Sequence, residues 1–247
     1  DNSTLCLPSA WNTGQFDFTE GSMDVAYRAG GGEPGYIAPD PKDLNIFYSG
    51  TNNGRYVDKY NRTLNSSREV APYPWFYSGE PASEMVERWQ WTFPILFSPI
   101  DQNVLYVSSN RLWRTTDAGN SWDVLSPDLT RADPETLGHS GGPITGDMNG
   151  PEVYATIFSV GPGKVDIDVI WTGSDDGLVH VTRDGGANWA NVTPPDMPVF
   201  GRVSQIDASI FDAGRVYISV RLPLLDDFRP YIWKTDDYGS TWTKIVN

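Results

Sequence analysis

The most regular pattern of apolar and polar positions lies between residues 154 and 194. Two largely apolar runs, ATIFSV and DVIWTGSDDG, are followed by LVHVTRDGG, in which apolar and polar residues alternate, and then by NWANVTP. Alternation with a period of two is typical of a β-strand with one buried face, and Gly, Asp and Pro between the runs indicate turns. The segment therefore predicts four short antiparallel strands.

The same four-part pattern occurs three more times along the chain. An aromatic residue marks the second strand of each unit, and these residues are Tyr48, Tyr106, Trp171 and Tyr217. Their spacings of 58, 65 and 46 residues fit β-propeller blades of four strands, in which the longer spacings contain insertions. We predict an all-β fold, a β-propeller with blades at about 35–72, 93–127, 154–194 and 204–247. Residues 1–34 are predicted to form an amino-terminal segment or partial blade.

Four blades are few for a closed ring, so they predict either a small closed propeller or an arc of a larger one. An arc leaves unpaired blade edges, and such edges favour pairing with another chain. The expected partners are therefore the remainder of a longer chain or further copies of this one, in addition to any ligand.

A phrase with the pattern Asp-x-Gly-x-x-Trp recurs at the end of the predicted third strand in three units. Its residues are Asp117, Gly119 and Trp122, then Asp184, Gly186 and Trp189, and finally Asp237, Gly239 and Trp242. In a hairpin the Asp side chain can accept backbone N–H bonds, Gly supplies a positive φ, and Trp can fix the turn onto the sheet. A catalytic residue has no need to recur in every blade, so we interpret these residues as structural.

Charge and cysteine content narrow the possible partners. The net charge of −14 repels phosphate, so neither nucleic acid nor an anionic membrane is an expected partner. The only cysteine is Cys6, and no Cys/His spacing resembles a zinc site, so we expect no such metal and no cofactor. The sequence contains no apolar run of about 18 residues, so it predicts no membrane span.

The recurring phrase resembles the Asp-box, or BNR repeat, with the pattern S/T-x-D-x-G-x-x-W. This repeat occurs in the β-propellers of sialidases, xyloglucan-cleaving glycoside hydrolases and sortilin-type receptors. Longer stretches, such as RWQWTFPILFSP and WTGSDDGLVHVTRDGGANWANVTP, resemble exported bacterial BNR-repeat proteins labelled glycosyl hydrolase or sortilin-like. The resemblance implies a secreted, periplasmic or extracellular protein and a chain that is a segment of a longer member. It marks the fold and says little about chemistry.

A glycosidase needs two carboxyl groups across the scissile bond. Asp175 and Asp176 lie in the predicted turn between the second and third strands of the third blade, and Asp227 lies in the equivalent turn of the last blade. These three are the candidate catalytic residues. With 32 acidic residues in the chain, the alternative is an ordinary solvated turn.

The segment between the first two blades places aromatic rings beside charged groups. Trp89 and Trp91 flank Gln90 and follow Glu87 and Arg88, a composition suited to stacking on sugar rings and hydrogen bonding to hydroxyls. These four residues are the predicted ligand-binding set. The alternative is that both tryptophans are core residues of an innermost strand.

Three functions fit these observations. The first is an exported binding or scaffold module that recognises a glycan or an extended peptide, which is favoured because each specific motif has a structural explanation. The second is a glycoside hydrolase that uses a carboxylate pair. The third is a structural subunit of an extracellular assembly. A sialidase is the least favoured enzyme because no cluster of arginines is evident.

Overall fold

The protein is an all-β chain with four antiparallel sheets of four strands each. The computed structural model describes residues 35–51, 56–75, 77–150 and 152–246, together with two short paired strands nearer the amino terminus. The short pair consists of β1 (Leu5–Cys6) and β2 (Tyr27–Arg28). The rest of the predicted amino-terminal segment, 1–34, lies outside the described residues.

Each sheet is a simple meander whose strands follow chain order. The first sheet contains β3 (Ile37–Pro39), β4 (Ile46–Thr51), β5 (Tyr56–Asn61) and β6 (Ser66–Glu69). The second contains β7 (Ile95–Phe97), β8 (Leu105–Ser108), β9 (Leu112–Thr115) and β10 (Asp123–Val124). The third contains β11 (Ile157–Pro162), β12 (Ile170–Ser174), β13 (Val179–Thr182) and β14 (Ala190–Asn191). The fourth contains β15 (Arg202–Ala208), β16 (Val216–Leu222), β17 (Asp227–Thr235) and β18 (Thr243–Lys244).

The strands of the four sheets span 37–69, 95–124, 157–191 and 202–244, so the fourth sheet begins before the predicted blade at 204. Short 3-10 turns interrupt the connections at Ala82–Glu84, Pro134–Thr136 and Pro223–Leu225. The first strand of each later sheet contacts the preceding sheet: β7 lies against β3 and β4, β11 against β8, and β15 against β11 and β12.

The antiparallel order divides the connections between the two ends of the sheets, because successive turns lie at alternate ends. The turns between second and third strands share one end with the connections between sheets, and we call this end the loop rim. The turns between third and fourth strands lie at the other end, which we call the box rim. All the long insertions therefore emerge at the loop rim.

Apolar clusters fill the spaces between neighbouring sheets. Between the third and fourth sheets the cluster includes Trp171 and Trp233, and both side chains are fully buried. Every residue of the central strands β8 and β12 is buried, as expected for a strand covered on both faces. Burying a large apolar side chain stabilises the fold by roughly 1.5–3 kcal/mol, so these clusters hold neighbouring sheets together.

The three Asp-x-Gly-x-x-Trp phrases adopt one turn geometry, and we call them box turns. In the first, Thr115 Oγ1 donates to Asp117 Oδ1 at 2.8 Å and accepts from the Gly119 N–H at 2.9 Å, while the Ser121 N–H donates to Asp117 Oδ1 at 2.9 Å. Asp184 and Asp237 have the equivalent bonds. The carboxylate thus stabilises the turn by hydrogen bonds to groups of the turn itself.

Two consecutive residues of each box turn have positive φ, not the glycine alone. Gly119, Gly186 and Gly239 have φ values of 83°, 104° and 82°, and they follow Ala118, Gly185 and Tyr238, whose φ values are 62°, 69° and 58°. Left-handed backbone is uncommon for residues with a Cβ atom, so the hydrogen bonds to the carboxylate hold Ala118 and Tyr238 in this conformation.

Each box tryptophan joins its own sheet to the preceding one. The indole N–H of Trp122 donates to the Val70 carbonyl at 2.8 Å, and Trp189 and Trp242 donate in the same way to the Leu125 and Val192 carbonyls at 2.9 and 2.7 Å. The sequence predicts that Trp fixes the turn onto the sheet, and the sheet that each indole N–H contacts is the preceding one. The box turn is a contact between blades.

Candidate functional site

A cavity of about 430 Å³ opens at the loop rim between the third and fourth sheets. Three separate parts of the chain form its walls. They are the insertion between the second and third sheets, the β12–β13 turn, and the fourth sheet, which contributes the entry to β15 and the β16–β17 connection. Its lining residues are Thr136, Tyr154, Asp175, Phe200, Arg202, Arg221, Leu222, Pro223, Leu224 and Leu225.

An apolar tip forms one wall of this cavity. The β16–β17 connection contains the 3-10 turn Pro223–Leu225, and Asp226 closes it with a left-handed φ of 56°. The side chains of Leu224 and Leu225 are 79% and 58% exposed. Large apolar side chains exposed together beside a cavity are typical of a binding surface.

Asp175 lies at the base of the cavity and is almost completely buried. Its carboxylate accepts the Thr156 N–H and the Thr156 Oγ1 hydroxyl, both at 2.8 Å. Burial raises the pKa of Asp175 to about 6, against the opposing effect of these hydrogen bonds. This carboxyl group therefore titrates much closer to neutral pH than an exposed aspartate.

Asp176 is also fully buried, but it has a structural environment. Its carboxylate accepts the Ser174 hydroxyl at 2.6 Å and the Ala132 N–H at 3.0 Å, while its carbonyl accepts Arg131 Nε at 3.1 Å. Asp176 thus ties the β12–β13 turn to the insertion that follows the second sheet. The solvated turn expected as the alternative for Asp175 and Asp176 is wrong, because both carboxylates are enclosed by that insertion.

Aromatic and cationic side chains stack beside the cavity. Tyr154 and Phe200 have ring centroids 6.4 Å apart, and the Arg131 guanidinium lies 5.5 Å from the Phe200 ring centroid. Burial, followed by the charges of Asp175 and Asp176, raises the pKa of Tyr154, which keeps its hydroxyl protonated. This wall therefore offers an aromatic surface and a neutral hydroxyl.

Two arginines lie side by side on neighbouring strands of the fourth sheet, at the cavity. Arg202 on β15 and Arg221 on β16 are direct partners in the strand register. Arg202 lies over the Phe158 ring at 4.7 Å, and among the described residues neither guanidinium has an ion-pair partner. Like charges placed directly opposite each other in a sheet are destabilising, so an anion bound here would be stabilised by both.

The third predicted catalytic residue, Asp227, lies outside the cavity lining. Its carboxylate accepts Arg229 Nε at 2.9 Å and the Tyr231 hydroxyl at 2.8 Å. The bonds from Arg229, then those from Tyr231, hold the pKa of Asp227 well below its usual range. The structure therefore does not place Asp227 with Asp175 and Asp176 as a catalytic set.

Three members of the predicted ligand-binding set are buried, so the surface expected from them is not formed. Glu87 is fully buried and accepts bonds from Ser109 and Arg111. Arg88 pairs with Asp128 and donates to the Ala155 carbonyl. Both side chains join the connection after the first sheet to later parts of the chain.

The two tryptophans of the set have different environments. Trp89 is 1% exposed and packs edge-on against Phe93, with ring centroids 5.2 Å apart. It belongs to the core between the first and second sheets, as the alternative interpretation predicted, although it lies in a connection and not in a strand. Trp91 is half-buried in the turn that precedes β7, so it alone of the four keeps a partly accessible side chain.

Within the described parts of the chain, no group of three or more His, Cys, Asp and Glu side chains is arranged to hold a metal ion. A search of the same residues for helices of the length and apolar character required to cross a membrane found none.

Comparison with solved structures identifies the architecture. No protein-family model and no curated protein matches the sequence. The Dos1 propeller is similar with a TM-score of 0.52 and 14% identity over 84% of this chain and 48% of that one. The chain has a β-propeller fold.

Other propellers show weaker similarity. YCF48 bound to a D1 peptide gives a TM-score of 0.41 with 17% identity over 68% of this chain and 43% of that one. An ancestral GH74 enzyme gives 0.43 with 16% identity over 85% of this chain and 30% of that one. The chain thus spans less than half the length of these propeller proteins, and at such identities the likeness concerns the fold alone.

The sequence pattern predicts Asp175 as a site residue but does not indicate the cavity around it. Tyr154, Phe200 and Leu224 lie far apart in the sequence, so no local motif groups them. One signal was present: LPLLDDF places Leu224 and Leu225 in a turn between strands, where polar residues are the rule.

Proposed function

We propose that the chain is a binding module of an exported propeller and that it holds an extended peptide at the loop-rim cavity. The observation that carries this proposal is the combination of an apolar wall, Leu222–Leu225, with two arginines, Arg202 and Arg221, that form no ion pair within the described parts of the chain. An apolar side chain of the peptide fills the cavity, and an acidic group of the peptide contacts the arginines.

The chemistry of the walls favours a peptide over a glycan. Sugar rings need several free hydrogen-bonding groups, whereas the accessible surface of this lining is predominantly apolar and its only carboxylate, Asp175, already accepts two bonds from Thr156. The aromatic pair Tyr154 and Phe200 is tilted by 43°, which suits an irregular apolar side chain better than a planar stack.

The charge at the cavity supports an acidic group on the ligand. The chain carries a net charge of −14, whereas this cavity is lined by two arginines and one carboxylate, Asp175, whose pKa the charge of Arg202 lowers. A carboxylate can accept bidentate hydrogen bonds from a guanidinium, and such bonds are stronger than those between neutral groups. The ligand should therefore combine a large apolar side chain with a nearby carboxylate.

Peptide binding tests the proposal. A peptide array that varies one apolar and one acidic position supplies a lead peptide, and fluorescence anisotropy then compares it with versions in which Leu becomes Ser or Glu becomes Gln. We expect Arg221→Gln to weaken binding of the acidic peptide by about tenfold, the loss of one charge-assisted hydrogen bond, and to leave binding of its Gln version unchanged.

A matched pair of leucine variants provides the test and its control. Leu224→Asn changes the cavity wall, whereas Leu64→Asn changes a leucine of similar exposure, 72%, in the turn between β5 and β6. We expect only Leu224→Asn to weaken binding. Equal effects of the two variants, or no binding by any acidic apolar peptide, would contradict the proposal.

A glycoside hydrolase is the second candidate, and one observation favours it. A carboxylic acid that titrates near pH 6 in a cavity has the property of a general acid, and Asp175 has it. A panel of oligosaccharides tests this candidate by product analysis. Cleavage that Asp175→Asn abolishes, with binding retained, would replace the binding proposal by an enzymatic one.

A further inference from the structure

The contacts between neighbouring sheets repeat, and each has a donor side and an acceptor side. The donor side is the box turn of the later sheet. The acceptor side, which we call the seat, belongs to the earlier sheet and consists of the aromatic residue of its second strand and the residue that follows its fourth strand. The three seats are Tyr48 with Val70, Tyr106 with Leu125, and Trp171 with Val192.

The contact at each seat is close. Trp242 packs edge-on against Trp171 with ring centroids 6.4 Å apart, and its indole N–H donates to the Val192 carbonyl. A Cβ atom on Gly239 would lie 2.6 Å from the Val192 side chain. Equivalent close approaches join Gly119 to Val70 and Gly186 to Leu125. The glycine therefore brings the box turn onto the seat.

The fourth sheet has the same acceptor residues in the same places. The residue after each fourth strand donates its N–H to the third strand of its own sheet: Val70 to Val57, Leu125 to Leu112 and Val192 to Val179, at 2.8–2.9 Å. Ile245 follows β18 and donates in the same way to Ile232 at 2.8 Å. Tyr217 occupies the aromatic position on β16. Tyr217 and Ile245 thus form a fourth seat.

The fourth seat differs from the others in its exposure. Tyr48, Tyr106 and Trp171 are at most 2% exposed, whereas Tyr217 is 39% exposed and Ile245 is 50% exposed. Residues of β16 alternate between buried and accessible, whereas every residue of β12 is buried. The far face of the fourth sheet therefore keeps the residues of a seat, and no other described residue covers them as the other three seats are covered.

We propose that the fourth seat binds a further propeller blade that carries an intact Asp-x-Gly-x-x-Trp turn. The geometry of the three existing contacts specifies the occupant: an indole that packs on Tyr217 and donates to the Ile245 carbonyl, and a glycine that approaches the Ile245 side chain. A second copy of this chain does not meet this specification. Its three box tryptophans already occupy its own seats, and its first unit has no such phrase.

An extended chain tests the proposal. In this chain, Ile245 is followed directly by a second copy of residues 193–247. The junction imitates the natural one, because residue 193 follows Val192, the acceptor residue of the third seat, in the same way. The appended copy carries Phe in place of Tyr217, so that mass spectrometry scores only the original Tyr217 after treatment with tetranitromethane. We expect nitration of Tyr217 to slow by about tenfold, because a covered ring reacts only when the contact opens.

Two comparisons make this result specific. Replacing Trp242 by Ala in the appended copy should restore the nitration of Tyr217, and Tyr36, which is 36% exposed and belongs to the first sheet's end of the molecule, should react equally in every chain. An appended blade that remains protease-sensitive would overturn the proposal, and so would one that folds while Tyr217 reacts as before. If the unextended chain forms a dimer that Tyr217→Ser abolishes, the occupant is a second copy and the proposal is wrong.

Discussion

At the scale of single residues, the carboxylates divide into two groups with opposite pKa shifts. Burial raises the pKa of Asp175 to about 6. Hydrogen bonds from Ser121, then from Thr115, lower the pKa of Asp117 to about 2, and similar bonds lower the pKa values of Asp184 and Asp237. An ionised aspartate therefore opposes folding at Asp175 and supports folding in the box turns.

Asp175 should give the free energy of unfolding a specific pH dependence. Its pKa is higher in the folded than in the unfolded chain, so its stabilising contribution is complete below about pH 4 and is lost as the pH rises through about 6. A shift of this size corresponds to about 3 kcal/mol. We therefore expect Asp175→Asn to gain stability relative to the unsubstituted chain between pH 4 and pH 7, as measured by urea unfolding at each pH.

The box carboxylates provide the internal control for this measurement. Asp117→Asn should reduce stability at neutral pH, and its deficit should shrink as the pH falls from about 4 towards 2, where the carboxylate of the unsubstituted chain becomes protonated. A stability difference between Asp175→Asn and the unsubstituted chain that does not change with pH would contradict the assigned pKa.

At the scale of the structural element, the box turn acts as a connector between sheets as well as a hairpin. Its Asp and Thr side chains close the turn, and its Trp and Gly contact the preceding sheet. The recurrence of the phrase thus follows from the recurrence of the contact, since each new sheet needs one connection to its predecessor.

Two substitutions of Trp189 should separate the contributions of its ring packing and of its hydrogen bond to the free energy of unfolding. Trp189→Phe keeps an aromatic ring against the cluster between the second and third sheets but loses the bond to the Leu125 carbonyl, and we expect a cost of about 1 kcal/mol. Trp189→Ala should cost about 2–4 kcal/mol because the ring is only partly buried. Trp75→Ala, at a side chain 59% exposed, should change thermal unfolding little. Equal melting temperatures for all three variants would refute the connecting role.

The strands were predictable because their signal is local. Period-two alternation and Gly, Asp or Pro turns specified four meanders, and the all-β propeller prediction is confirmed. The environment of Glu87 was not predictable, because its segment has no periodicity and the groups that bind its carboxylate, Ser109 and Arg111, belong to the next sheet. The cavity was unpredictable for the same reason, since three distant segments form it.

At the scale of the whole molecule, the sheets differ in how they are covered. The second and third sheets have a neighbour on each face, whereas the far face of the fourth sheet exposes Tyr217 on β16. A sheet with one open face has fewer apolar contacts that resist local opening. The fourth sheet should therefore be the least stable of the last three.

Hydrogen exchange measures this difference directly. We expect the backbone amides of β16 and β17 to exchange faster than those of β12 and β13 in the 247-residue chain, because opening the fourth sheet exposes less apolar surface. The β16–β17 ladder is the longer of the two, with six register pairs against four, so ladder length alone would predict the opposite order. Equal protection in the two sheets would indicate that the molecule opens as a single unit.

The direction of the contacts between sheets has a consequence for biosynthesis. In all three, the later sheet supplies the indole and the earlier sheet supplies the carbonyl. A ribosome releases the chain from its amino-terminal end, and early parts can fold while later parts are still being made. Each blade leaves the ribosome when the surface that receives it has already been synthesised, so the chain can assemble blade by blade in the order of translation.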